Sequence, residues 1–188
     1  MSEKRSRAGR KSRHKGKRHE NQLAHTFNRW AALPNNDDGS FKRHWSGRLE
    51  TKVGGDLQVP EWFEPFVIEA RNREGWSFSA LLENGKKSTL IKWWRELKAK
   101  NDNLPMIMVF TRNNLPNYVM WGRDENAIFL SFPGYALDVP TMSFCLPDFG
   151  VTIAKLDDFL KCCPATYFQE RHSDLQETVD NKSNPSTL

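Results

Sequence analysis

Long apolar runs are missing from this chain. No stretch approaches the roughly eighteen residues that a membrane-spanning helix needs, and the first nineteen residues contain no apolar segment of the kind a secretory signal carries. The protein is therefore expected to work in the cytoplasm, away from membranes. Cysteine is scarce too: Cys145 and the adjacent Cys162 and Cys163 are an odd set without the spacing of a disulfide framework, which fits reduced thiols in a reducing compartment. Five histidines are present, but no C-x-x-C or H-x-x-x-H pair, so structural zinc has no support. A Gly-x-x-x-x-Gly-Lys-Ser/Thr loop and a Gly-x-Ser-x-Gly elbow are both absent, so nucleotide-driven motors and α/β-hydrolase chemistry have no support.

What the chain does have is aromatic mass and unevenly placed charge. Seven Trp and twelve Phe among 188 residues allow a sizeable core, and the length suits one domain with some chain left for tails. Of 28 Lys/Arg and 23 Asp/Glu, nine basic residues and one acid, Glu3, fall within residues 1–19. That segment carries +8, and the remaining 19 bases and 22 acids leave the rest at −3. The positive excess lies in one arm holding Lys4, Arg5, Arg7, Arg10, Lys11, Arg13, Lys15, Lys17 and Arg18. Like charges at this density repel, so residues 1–15 are expected to be a disordered basic arm that meets a polyanion. Counterion release from phosphates would supply much of the affinity. A solubility tail is the plainer reading of the same residues.

From Gly16 onward the pattern becomes structural, and residues 16–168 are expected to form a single domain. Leu23, Ala24, Phe27, Trp30 and Ala31 recur at helical spacing up to Pro34, and a turn cluster follows over 35–40. Val53, Leu57 and Val59 suggest a short strand, which Pro60–Pro65 connects to a second, paired strand over Phe66–Ala70. Ser88 is placed to cap a helix over Thr89–Lys100, with Leu90, Trp93, Trp94 and Leu97 inward and a basic outer face. Met106–Phe110 and Tyr118–Trp121 read as strands joined by a turn, with edge strands over 127–132 and 142–146 and a last helix over Ala154–Cys163. Residues 169–188 read as a flexible polar tail. The order gives an α/β fold with a central mixed sheet flanked by helices. Trp76, Trp93 and Trp94 could stack on bases, although aromatics at helical spacing more often fill cores.

Three acids stand out from a solvated surface. Asp56 follows the Gly54-Gly55 pair, and Glu69 lies inside Phe-Val-Ile-Glu-Ala, where an unpaired carboxylate pays a heavy desolvation cost. Period-two geometry puts Glu69, Arg71 and Arg73 on one strand face. An internal ion pair from Glu69 to Arg71 or Arg73 is the structural alternative to a bound cation. Glu20 lies on the first helix, in Gly16-Lys-Arg-His-Glu20.

Gly55-Asp56, then Glu69-Ala70-Arg71, resembles the PD-(D/E)xK nuclease superfamily. The separations are 36 residues from Glu20 to Asp56 and 13 from Asp56 to Glu69, similar to those of archaeal Holliday junction resolvases and small phage endonucleases. Glu69 to Trp76, Lys92-Trp-Trp94, Met108 to Arg112 and Tyr118 to Met120 look especially like the phage members. The resemblance implies a restriction-endonuclease-like core and a metal-dependent endonuclease acting on branched or structured DNA as a homodimer, in the host cytoplasm if phage-encoded. It further implies Mg²⁺ or Mn²⁺ held by Asp56, Glu69 and the Ala70 carbonyl, with Glu20 acting through water or on a second ion. Hard cations that activate water prefer such oxygen donors. Arg71 departs from the pattern, since the superfamily usually has Lys there. Its guanidinium stays protonated and cannot act as a base, but it can orient water or neutralise phosphate. Lys52 and Lys92 are the lysines considered as substitutes. Arg73 joins the arm as a DNA contact. A catalytically weak or inactive DNA-binding protein on the same fold is the alternative function, and an RNA-binding protein is a third, since a basic arm does not tell RNA from DNA.

Overall fold

A computed structural model describes residues 2–44, 55–101, 104–123, 125, 129, 144–146 and 150–172, with 2–13 and 144–146 described as backbone. Helix α1 spans Ser2–Trp30. It therefore continues through the basic arm, where no regular structure is expected from the sequence. Residues 2–16 contain no proline, and Lys, Arg and Ala are strong helix formers, so the helix is opposed chiefly by like-charge repulsion and the two glycines, with a smaller contribution from Ser6 and Ser12. Its inward face is the expected one, with Leu23, Ala24, Phe27 and Ala31 buried.

Seven strands form one sheet in the order β1-β2-β3-β4-β5-β7-β6. They are β1 Lys42–Arg43, β2 Leu57–Gln58, β3 Val67–Asn72, β4 Met106–Thr111, β5 Tyr118–Gly122, β6 Phe144–Leu146 and β7 Val151–Lys155. β3 and β4 are parallel, with Glu69 beside Met108, and every other pairing is antiparallel. A parallel pair needs a crossover, here made by α2 (Phe78–Asn84) and α3 (Thr89–Lys100). Ser77 and Ser88 cap these helices by accepting from the N–H groups of Ala80 and Ile91. α4 (Leu156–Cys162) follows β7, and residues 165–172 are helical.

Strand alternation splits the core into two layers. On one face Ile68, Ala70, Ile107, Val109, Val119 and Trp121 pack with α1 and α4. On the other, Val67, Met106, Met108, Phe110, Met120 and Ile153 pack with Leu90, Ile91, Trp94 and Leu97 of α3. Trp76 and Trp94 are core residues and Trp93 is half-buried. The result is the expected α/β architecture, a mixed sheet with helices on both faces. Several boundaries differ from expectation, the strand expected to end at Ala70 running on to Asn72. Ala154 belongs to β7, so the last helix starts at Leu156, and Phe129 is helical rather than part of an edge strand, the rest of 127–132 lying outside the described residues. Val53 and Lys52 also lie outside them. Among the described residues no helix is long and apolar enough to cross a membrane.

Candidate active site

Asp56 reaches the sheet because Gly55 lets two strands close. A Cβ at Gly55 would fall well inside contact distance of the Ile68 carbonyl oxygen and 2.8 Å from Val67 Cγ1, so any side chain there would hold the segment off β3. With glycine in place, Leu57 pairs with Ile68, and Asp56 Oδ2 accepts a hydrogen bond from the Ala70 N–H at 2.8 Å. The segment is joined on its other side to β1, where the His44 N–H donates to the Asp56 carbonyl at 2.9 Å. β1 is in turn fixed to α1 through Asn28, which accepts from the Phe41 N–H and donates to the Phe41 carbonyl.

Glu69 has no exposed surface, and its two oxygens meet different surroundings. Oε1 accepts from Lys100 Nζ at 3.0 Å and Asn101 Nδ2 at 2.9 Å, both at the C-terminal end of α3. Asn101 also donates to the Leu97 carbonyl at 3.0 Å and so caps the helix with the same amide. Oε2 is buried and has no hydrogen-bond partner; Arg71 Nη1 approaches it to 3.5 Å. Burial and the neighbouring Asp56 both push the Glu69 carboxyl up, against the lowering effect of Asn101 and Lys100.

Arg71 stands at the point where the other groups converge. Its Nη1 lies 2.9 Å from the Ala70 carbonyl oxygen, 3.2 Å from Asp56 Oδ2 and 3.5 Å from Glu69 Oε2. The internal ion pair weighed as the alternative for Glu69 is therefore formed by Arg71, and Lys100 adds a second. Arg73 is exposed beyond the end of β3. Glu20 is half-buried on α1, within electrostatic reach of Arg43, Lys17, Arg71 and Glu69; desolvation raises its pKa and the three cations oppose that rise.

Glu20, Asp56, Glu69, Ala70 and Arg71 are thus brought to one region of the molecule. Among the described residues no group of three His, Cys, Asp or Glu side chains is arranged to hold a metal ion. The converging donors are instead two carboxylates and a backbone carbonyl, with a guanidinium between them. This all-oxygen set fits a hard cation in chemistry, and the buried Oε2 of Glu69, which has Arg71 Nη1 at 3.5 Å but no hydrogen bond, is a carboxylate oxygen with room for a cation's bond.

Lys100 and Asn101 are the residues that sequence reading misses. Lys100 reads there as part of a solvated basic face, and Lys92 as a possible substitute lysine, yet Lys92 is exposed and it is Lys100 that reaches Glu69. A residue pair closing a crossover helix beside a strand that carries a buried acid was the available signal. Within the arm, Lys15 pairs with Glu74 at 3.5 Å, Lys17 and Arg18 are exposed, and the side chains of Arg5, Arg7, Arg10, Lys11 and Arg13 lie outside the described residues.

A family model described as "phage putative PDDEXK endonuclease" matches residues 11–169. No curated protein and no solved structure matches the chain.

Proposed function

The chain belongs to the phage PDDEXK endonuclease family, with a restriction-endonuclease-like α/β core, and on that premise we propose that it is a metal-dependent endonuclease cutting phosphodiesters in branched DNA. The observation that carries this reading is the convergence of Asp56 Oδ2, Glu69 Oε2 and the Ala70 carbonyl on a single cationic atom. Asp56, Glu69 and Ala70 would hold Mg²⁺ or Mn²⁺, and Glu20 would act through water or on a second ion. Such an ion polarises the phosphoryl oxygen and lowers the pKa of the attacking water.

The chain's own residues preorganise the centre. The Ala70 N–H holds one oxygen of Asp56 in place, and Lys100 with Asn101 holds Oε1 of Glu69, leaving Oε2 to face Arg71 Nη1 at 3.5 Å. Arg71, always charged, accepts no proton and contributes positive charge and hydrogen bonds near the phosphate. The basic residues of the α1 extension and Arg73 hold DNA against a body that shares its negative sign. A homodimer would set two such centres across a junction.

One observation favours a second reading. A guanidinium already standing among the oxygens suits a DNA-binding protein on a nuclease fold that has lost cleavage. Incubating the protein with a four-way junction, a flap and linear duplex in Mg²⁺ or Mn²⁺ separates the two. Cleavage that favours the junction and disappears in Asp56→Asn and Glu69→Gln supports the endonuclease. Binding without cleavage in either metal supports the second reading.

A further inference from the structure

The cations around Glu69 occupy unequal positions. Arg71 Nη1 lies among exactly those oxygens that the proposed metal would need, with donor distances of 2.9, 3.2 and 3.5 Å. Oxygens at about 2.0–2.1 Å from Mg²⁺ leave no room for a guanidinium nitrogen at the same point. Lys100, in contrast, touches Oε1, is held at the end of α3, and contacts neither Asp56 nor the Ala70 carbonyl among the partners found for it. The two cations of the centre therefore have separable roles.

We propose that Arg71 is a place-holder which exchanges with the divalent metal for the oxygens of Asp56, Glu69 and Ala70, while Lys100 stays on Glu69 in both states. This inference rests on the metal-site reading above. With neither metal nor Arg71, two close carboxylates, one of them fully buried, would repel each other with Lys100 on Glu69 Oε1 as the remaining counter-charge. The guanidinium offsets that cost and keeps the donors gathered. When metal enters, Arg71 gives up three oxygens at once, and its side chain, already about one-fifth exposed, moves outward to the rim of the site. There its forked donors suit a phosphate oxygen pair. Lys100 keeps Oε1 occupied, so that Glu69 offers the incoming ion the same oxygen that Arg71 releases. Arginine at this position thereby ties metal entry to the release of a phosphate-binding group.

Competition is measurable without any cleavage. Mn²⁺ titration of the DNA-free full chain by calorimetry compares wild type with Arg71→Met, Arg71→Gln and Lys100→Met. Both Arg71 and Lys100 variants delete one positive charge beside Glu69, so general electrostatics alone predicts tightening in each, somewhat smaller at the more exposed Lys100. Place-holding predicts at least tenfold tighter Mn²⁺ binding in both Arg71 variants and less than a threefold change in Lys100→Met. Equal effects, or weaker binding without Arg71, would overturn the proposal.

Should the Arg71 variants fail to fold, ¹⁵N guanidinium NMR of the wild type under Mg²⁺ titration gives the same answer. One hindered arginine side chain, assigned to Arg71 in the wild type by through-bond correlation to its backbone amide, should lose its slow rotation as Mg²⁺ saturates. A signal unmoved by Mg²⁺ that binds elsewhere refutes the exchange. Absence of Mn²⁺ binding in every variant refutes it as well, and the junction cleavage assay decides separately whether the protein is a nuclease.

Discussion

Asp56 and Glu69 are secured in different ways. Asp56 depends on backbone: its carboxylate accepts from the Ala70 N–H and its position depends on the bare Cα of Gly55. Gly55→Ala is accordingly expected to cost about 1–3 kcal/mol in folding stability through the forced contact with Ile68, and to lower cleavage far more than that loss explains. Chemical denaturation alongside initial rates would check both. Glu69 depends on side chains, and replacing Asn101 with Ala removes a donor to a fully buried carboxylate as well as a helix cap. A loss of about 1–3 kcal/mol is expected, read from the denaturation midpoint. A third residue, His19, is buried on α1 with Nε2 3.0 Å from Asn117 Oδ1. Desolvation pulls its pKa below the ordinary value of 6.5, an effect larger than the opposing hydrogen bond. The unfolded state then binds the proton more readily, so His19 favours the fold fully above about pH 6.5 and loses that contribution as pH falls through the lowered folded pKa. His19→Gln should flatten the slope of stability between pH 7 and lower values; an unchanged slope would remove His19 from the account.

At the scale of elements, α3 links the site to the rest of the sheet. Its end supplies Lys100 and Asn101 to Glu69, and one turn earlier Lys98 bonds Glu125 Oε1 at 2.9 Å. Glu125 also accepts from the Met106 N–H at 2.7 Å and the Gly122 N–H at 3.0 Å, joining α3 to the start of β4 and the end of β5. A Cβ at Gly122 would come within 2.6 Å of Glu125 Oε2, so that glycine makes room for the carboxylate. Glu125→Ala removes the buried carboxylate from Lys98 and from the Met106 and Gly122 N–H groups and is expected to cost about 3–5 kcal/mol, measured by thermal or chemical unfolding. α3 is also where the sequence is most legible. The Ser88 cap and the apolar period define Thr89–Lys100 to the residue. The function of its last turn is not legible, because nothing local records that the helix ends over β3. α2 escapes for another reason: seven residues give too few turns for a period to emerge. Ala154 is misassigned since a short β7 runs directly into α4 with no breaker between them.

For the whole molecule, the Asp56 and Glu69-x-Arg71 pattern is legible because the chemistry demands those residue types near one another on paired strands. The sheet order around it follows from the parallel β3 and β4 with their helical crossover. The charge arithmetic of the sequence also finds a structural setting, since α1 carries both the basic extension and Glu20. Removing residues 2–13 takes away six cations but spares Lys15, which pairs with Glu74. The truncated protein should bind DNA more weakly, with a log-log salt slope flatter by up to about 5, and retain its Mn²⁺ affinity. Equal salt slopes would make the extension a solubility device.

The central claim is that Asp56 and Glu69 form the metal site of a nuclease. The most direct measurement is the single-turnover cleavage rate of a labelled four-way junction at saturating Mg²⁺, wild type beside Glu69→Gln, each shown to be folded and DNA-bound. The account predicts cutting by the wild type that chelator abolishes and that the variant slows by about a thousandfold or more. Equal rates for the two proteins, or no cutting by a wild type that binds both Mg²⁺ and the junction, would contradict it.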